Sequence, residues 1–230
     1  MAHYSRSALT IGFGVLAGLT TGLIPCQAQP KRSQIEVTLE RKDGKVWKPV
    51  EPNLVLESGD VVRFRFKSTF KGYLYVTNYG TSGQYALLFP GEATGRKNLV
   101  QAFTEYLVPA TNAQFRISGP AGYESIYWLI SPVTLGNPMD VTPARPSNYR
   151  PPVLRPRCDD TTLRARGLCL DLQAGPRAIG ETDKVPGNLE KMRNASSREL
   201  TIIQQDSQSV VSPSGSGSGP ILYEFRLAHK

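Results

Sequence analysis

The chain has 230 residues, 40% of them apolar, and a formal charge of +8. That is enough to bury a core for one domain with additions, or two very small ones, and the charge favours anionic partners such as phospholipid, acidic glycan or nucleic acid over basic ones. Of its two histidines only His229 lies outside the first few residues, which excludes His-based zinc sites and leaves a Ser-His-Asp or Cys-His arrangement dependent on a residue at a fraying end.

The N-terminus has a three-part export pattern. Arg6 supplies the positive start. Ala8 to Ile24 is an uncharged run of small and apolar residues, and Cys26-Gln27-Ala28 places small residues three and one before a cut. We expect residues 1–28 to be a signal peptide and the mature chain to be periplasmic or secreted. A retained anchor is the competing reading, but the run is near the lower limit for a spanning helix and carries four glycines. Lipoprotein anchoring through Cys26 is a further alternative, weakened by Pro25 where a small residue belongs. No later segment is long and apolar enough to span a bilayer.

The mature chain then alternates strand and turn. Ile35 to Leu39 alternates apolar and polar residues, and Lys42-Asp43-Gly44-Lys45 turns. Glu57-Ser58-Gly59-Asp60 is a second turn, opening a strand from Val61 to Lys67. There Val62, Phe64 and Phe66 point one way and Arg63, Arg65 and Lys67 the other. Period two with charge on one side means one face on a core and one in water. Tyr73 to Thr77 and Tyr85 to Phe89 form a hairpin with a loop longer than two residues. Phe103 to Val108, Gln114 to Ile117 and Glu124 to Ile130 follow. About seven short strands in about 100 residues argue an antiparallel, Ig-like β-sandwich over residues 29–133.

Composition changes at Pro132. Proline recurs to Pro156, interleaved with Arg145, Arg150, Arg155 and Arg157. Because proline cannot donate to a sheet, this reads as a linker or surface-hugging segment. We expect residues 134–199 to be a Pro/Arg-rich irregular insertion, with at most a short helix around Asn188 to Arg193. In an oxidising compartment Cys158 and Cys169 most simply form one disulfide. Apolar alternation returns at Leu200 to Ile203. Ser212 to Gly219 reads as a flexible loop, and its Ser-Gly repeat lacks the lysine and following helix of a phosphate cradle. Ile221, Tyr223, Phe225 and Leu227 then alternate with Leu222, Glu224, Arg226 and Ala228. A terminal strand needs neighbours, so residues 200–230 are expected to return and complete the sandwich.

Little in the sequence carries chemistry. Asp159-Asp160 reads as a loop or helix cap rather than a hydrolytic carboxylate pair, and Glu57 and Asp60 belong to a turn. Tyr73, Tyr75, Tyr85, Tyr123, Tyr127 and Trp128 could offer a stacking platform for sugars or single-stranded nucleic acid, but aromatics in a small sandwich usually fill its core. Tyr127 and Trp128 are consecutive on a strand, so only one of them is expected in a core. Arg63, Arg65 and Lys67 form a possible binding face for an anionic polymer; the competing reading is a solvated face that discourages edge pairing. Asn194-Ala195-Ser196 matches the glycosylation triplet.

Three stretches in order carry a resemblance. They are Gly72-Tyr73-Leu74-Tyr75-Val76-Thr77-Asn78, then Leu87-Leu88-Phe89-Pro90, then Pro120-Ala121-Gly122-Tyr123-Glu124, preceded by Gly59-Asp60-Val61-Val62-Arg63-Phe64. Over about residues 45–133 the chain resembles a bacterial family catalogued as domain of unknown function 4384. The resemblance implies a β-sandwich-like module of exported proteins and brings no catalytic residues.

The expected function is therefore that of an exported, non-catalytic β-sandwich binding an envelope protein or an anionic glycan. It needs no cofactor or metal, and nucleic acid is not an expected partner. The alternatives are a scaffold subunit of a secretion or surface assembly, held through residues 132–157, and a hydrolase using carboxylates gathered from loops.

Overall fold

The computed structural model describes residues 33–134, 155–196, 199–215 and 219–230. The expected signal peptide, Cys26, most of the Pro/Arg-rich run and the middle of the Ser/Gly loop lie outside the described residues. The protein is mainly β, with two antiparallel sheets packed as an open sandwich. Among the described residues no helix is long and apolar enough to cross a membrane.

The strands in chain order are β1 (Ile35–Asp43), β2 (Val46–Pro49), β3 (Val61–Ser68), β4 (Gly72–Tyr79), β5 (Tyr85–Phe89), β6 (Leu99–Val100) and β7 (Glu105–Val108). They continue with β8 (Phe115–Arg116), β9 (Gly122–Ser131), β10 (Gly175–Ala178), β11 (Leu200–Gln205), β12 (Gln208–Pro213) and β13 (Ile221–His229). Two helices, α1 (Thr161–Ala165) and α2 (Gly187–Ala195), lie between β9 and β11. The first sheet runs β11-β12-β1-β3-β7, with β2 beside β1 and β8 beside β3. The second runs β10-β13-β9-β4-β5, with β6 beside β4.

The period-two rows set the core. Val62, Phe64 and Phe66 of β3 face Ile126, Trp128 and Ile130 of β9 and Tyr223, Phe225 and Leu227 of β13, all of them buried. Trp128 meets Phe64 edge-on at 5.4 Å and stacks on Phe66 at 5.7 Å. Each such large side chain contributes about 1.5–3 kcal/mol on leaving water. The terminal strand does return: β13 pairs with β9 along its whole length, from Ile221 opposite Ile130 to His229 opposite Gly122.

The structure corrects three expectations. First, residues 134–199 are not only an irregular insertion: β10 extends the second sheet, and α2, the short helix expected around Asn188 to Arg193, covers that sheet's outer face. β10 has no strand signature in the sequence because Gly175-Pro176 interrupts any alternation; proline is accommodated there because β10 is an edge strand. Second, Tyr127 and Trp128 do face opposite ways, yet both are buried. Leu189 and Met192 of α2 pack over Tyr127, Tyr75 and Leu222, so the outer face has a second, smaller core. Third, the expected flexible loop starts later than Ser212, because β12 continues to Pro213 in pairing with β11.

Candidate functional site

The outer face of β3 carries the sequence-predicted binding residues, and the structure surrounds each with acid. β1 lies alongside in register, placing Glu40 opposite Arg63 and Glu36 opposite Lys67. Arg63 Nε is 2.6 Å and Arg65 Nη2 2.7 Å from the two oxygens of Glu40. Lys67 Nζ is 2.7 Å from Glu36, and Glu105 on β7 approaches Arg65 at 3.8 Å. The Arg63 guanidinium also lies over the Trp47 ring, 4.2 Å from its centroid. The three cations thus form a charge ladder rather than a free basic stripe. A shallow hollow of about 280 Å³ lies over this ladder, between Pro49 and Gln208.

A different cluster forms where three adjacent strands end their core-facing rows in polar residues. β4 runs Leu74, Val76, Asn78; β9 runs inward from Glu124 to Ile126 and Trp128; β13 runs Phe225, Leu227, His229. Asn78 Nδ2 donates to Glu124 Oε2 at 2.8 Å, and the Thr81 N–H donates to Oε1 at 3.2 Å. His229 Nε2 lies 3.4 Å from the same Oε1 and 3.5 Å from Thr81 Oγ1. Burial pushes the Glu124 carboxyl up, but the hydrogen bonds from His229, Asn78 and Thr81 outweigh it and hold the group below its ordinary value.

His229 is therefore no fraying residue. It is fully buried, and its strand end is clamped on both sides. β9 pairs along one edge, while on the other the Leu56 N–H donates to the Ala228 carbonyl and the Lys230 N–H to the Leu56 carbonyl. The cluster was legible in principle: extending the β13 alternation by one step reaches His229, and extending the β9 alternation backwards reaches Glu124. What the sequence did not show was that these two rows end side by side.

Cys158 and Cys169 are joined in a disulfide, as expected. It closes a knob, residues 155–172, whose base is stapled to the sandwich. Leu170 bridges Leu54, the Val55 N–H donates to the Cys169 carbonyl, and Asp171 accepts from the Tyr123 hydroxyl at 2.5 Å and the Arg157 N–H at 2.6 Å. Burial and the Asp171 carboxylate together hold the Tyr123 phenol well above its ordinary value. Asp160 caps α1, accepting from the Leu163 N–H at 2.8 Å, and Asp159 accepts from the Leu172 N–H at 2.8 Å. The Asp-Asp pair is thus spent on backbone amides rather than aimed at a common substrate. Asp60 likewise closes its own turn, accepting from the Glu57 N–H at 3.0 Å.

A larger hollow, about 630 Å³, opens where β10 and β11, the edge strands of the two sheets, diverge under the end of α2. Ile179, Leu200 and Leu222 give it an apolar floor, with Arg177, Arg193 and Glu199 at its sides. Arg177 is held by Glu224 at 2.6 Å and Asp183 at 2.7 Å. Arg193 is paired with Glu190 and donates to the Asp183 carbonyl at 3.0 Å. Both guanidiniums are fixed in place by these contacts. The stacking candidates Tyr73, Tyr75, Tyr85, Tyr123, Tyr127 and Trp128 offer no exposed platform; each is buried or half-buried. Among the described residues no group of three or more His, Cys, Asp or Glu side chains is placed to hold a metal ion.

Searches of curated proteins and of solved structures return no match. Residues 55–133, under half of the chain but including both Asn78 and Glu124, match the family model described as Domain of unknown function (DUF4384), the family that the sequence motifs resemble.

Proposed function

We propose that this protein is an exported, non-catalytic binding module that holds a segment of another envelope protein in the hollow between β10, α2 and the start of β11. The observation that carries this reading is the construction of that hollow. It combines an apolar floor of Ile179, Leu200 and Leu222 with rigidly held arginines beside two sheet edges. A floor of this kind gives a partner side chain an apolar seat, and exposed edge backbone supplies hydrogen bonds for an extended segment.

The anionic-glycan reading has less support. Its residues, Arg63, Arg65 and Lys67, already face Glu40, Glu36 and Glu105, so an anionic polymer would have to compete with carboxylates on the same surface. A binding role also suits the polar cluster at His229, whose histidine is fully buried and whose contacts hold the terminal strand in place.

The test is site-specific photo-crosslinking in the native envelope, with the photoreactive residue at Ala178 on the rim of the hollow. One discrete protein adduct is expected, absent when the same residue replaces Lys45 in the turn between β1 and β2. Equal, diffuse labelling from both positions overturns the reading. Export is checked separately by sequencing the purified native chain, which should begin just after Ala28. A chain beginning at Met1 in the cell interior ends the export proposal.

A further inference from the structure

The distribution of unpaired charge points to a second surface. Arg63, Arg65, Arg177, Arg193 and Arg226 all have carboxylate partners. The four arginines of the disulfide knob do not. Arg155, Arg157, Arg164 and Arg166 are exposed, and among the described residues no guanidinium of the four has an ion-pair or hydrogen-bond partner. The carboxylates nearest in sequence do not pair with them: Asp159 and Asp160, also exposed, accept backbone N–H groups and leave the exposed charge of the knob positive, and Asp171 is buried against Tyr123.

The same knob exposes two leucines. Leu172 is 77% and Leu168 42% exposed, flanking Cys169 on a backbone that the disulfide closes and that the Val55 N–H and the Leu54–Leu170 bridge hold against the sandwich. Isolated exposed leucines are ordinary. Two of them on one clamped knob with four unpartnered arginines make the knob amphipathic: guanidiniums that can fork onto phosphate, and short apolar side chains that can enter the boundary of an acyl layer.

We propose that the knob, residues 155–172, docks on an anionic phospholipid surface, with its arginines at the headgroups and Leu168 and Leu172 inserted beneath them. No residue of the knob lines the hollow, so the two proposals stand or fall independently. The disulfide contributes by pre-ordering the knob, which lowers the entropy lost on docking.

The test uses the full chain carrying Leu172→Trp as a local reporter, mixed with vesicles of phosphatidylglycerol and phosphatidylcholine containing bromine-labelled acyl chains. The expected result is a blue shift and quenching of the added tryptophan on anionic vesicles, with little change on pure phosphatidylcholine. Arg164→Gln with Arg166→Gln should weaken that response at least about tenfold, as should raised salt. Because the reporter sits in the knob, association through the apolar N-terminal run does not mimic the signal. Leu168→Trp repeats the reading if the first variant folds poorly. The proposal is overturned by an unquenched reporter on anionic vesicles, or by equal quenching with and without the two arginines. It is equally overturned by a shift with soluble poly-glutamate and none with vesicles, which would assign the knob to an acidic protein.

Discussion

Asn78 and Glu124 meet at 2.8 Å, joining the ends of two motifs that stand 46 residues apart in the chain. Asn78 closes the Gly72-to-Asn78 strand motif and Glu124 the Pro120-to-Glu124 turn motif. His229, from outside the family-matched segment, completes the contact. The sandwich thus uses its terminal strand to add a third partner, beside Asn78 and Thr81, to a buried carboxylate of the matched segment.

Removing that carboxylate strands its donors. Glu124→Ala would leave Asn78 Nδ2, the Thr81 N–H and His229 without their shared acceptor, at a cost of about 2–4 kcal/mol. Urea unfolding followed by tryptophan fluorescence should show the midpoint fall. An unchanged midpoint would mean that the cluster contributes nothing to stability.

The same group predicts acid sensitivity. The folded state holds Glu124 ionised below its ordinary value of 4.5, so the unfolded chain binds the proton more readily. The stabilisation is complete above that value and is lost as pH falls through the lower, folded one. Unfolding free energy measured from pH 6 downward should therefore decline more steeply in the parent than in Glu124→Gln. Parallel curves would show that another group dominates.

The charge ladder predicts the behaviour of the β3 face. Glu36→Gln with Glu40→Gln removes the acids facing Lys67, Arg63 and Arg65, and should raise the salt needed to elute the chain from immobilised heparin. Arg63→Glu instead places two carboxylates together at the nearly buried Glu40, which should cost about 2–4 kcal/mol in the same urea assay. If Arg63→Glu unfolds like the parent, the ladder is a solvated face and nothing more.

Helix α2 should behave as part of the fold. Leu189 is 2% exposed against the outer tyrosines. Leu189→Ala should cost about 2–3 kcal/mol, and should increase binding of a hydrophobic dye as Tyr75 and Tyr127 become uncovered. A detachable insertion would show neither effect.

The disulfide closes a short loop, worth about 2–3 kcal/mol in the chain-entropy model. Cys158→Ser with Cys169→Ser should speed tryptic cleavage at Arg164 and Arg166 well before the sandwich unfolds. Cleavage at the parent rate would mean that the Leu54–Leu170 bridge and the Asp171 contacts hold the knob by themselves.

Most strands of the two sheets are legible locally, β10 excepted. Alternation along Val61 to Lys67, Glu124 to Ile130 and Ile221 to Leu227 is a local property, because successive strand residues face opposite sides whatever the neighbours are. The same locality revealed the disulfide pair and the family motifs. What each face meets depends on the assembled fold. Arg63 looked free because its acid, Glu40, lies 23 residues earlier in the chain. Only one of Tyr127 and Trp128 looked buried because α2, which covers Tyr127, comes some sixty residues later. His229 looked loose because its strand partner and its clamp at Leu56 are both distant in sequence. Charge pairing, burial of a second face and the order of a chain end are all long-range properties, set by which strands become neighbours and in which register.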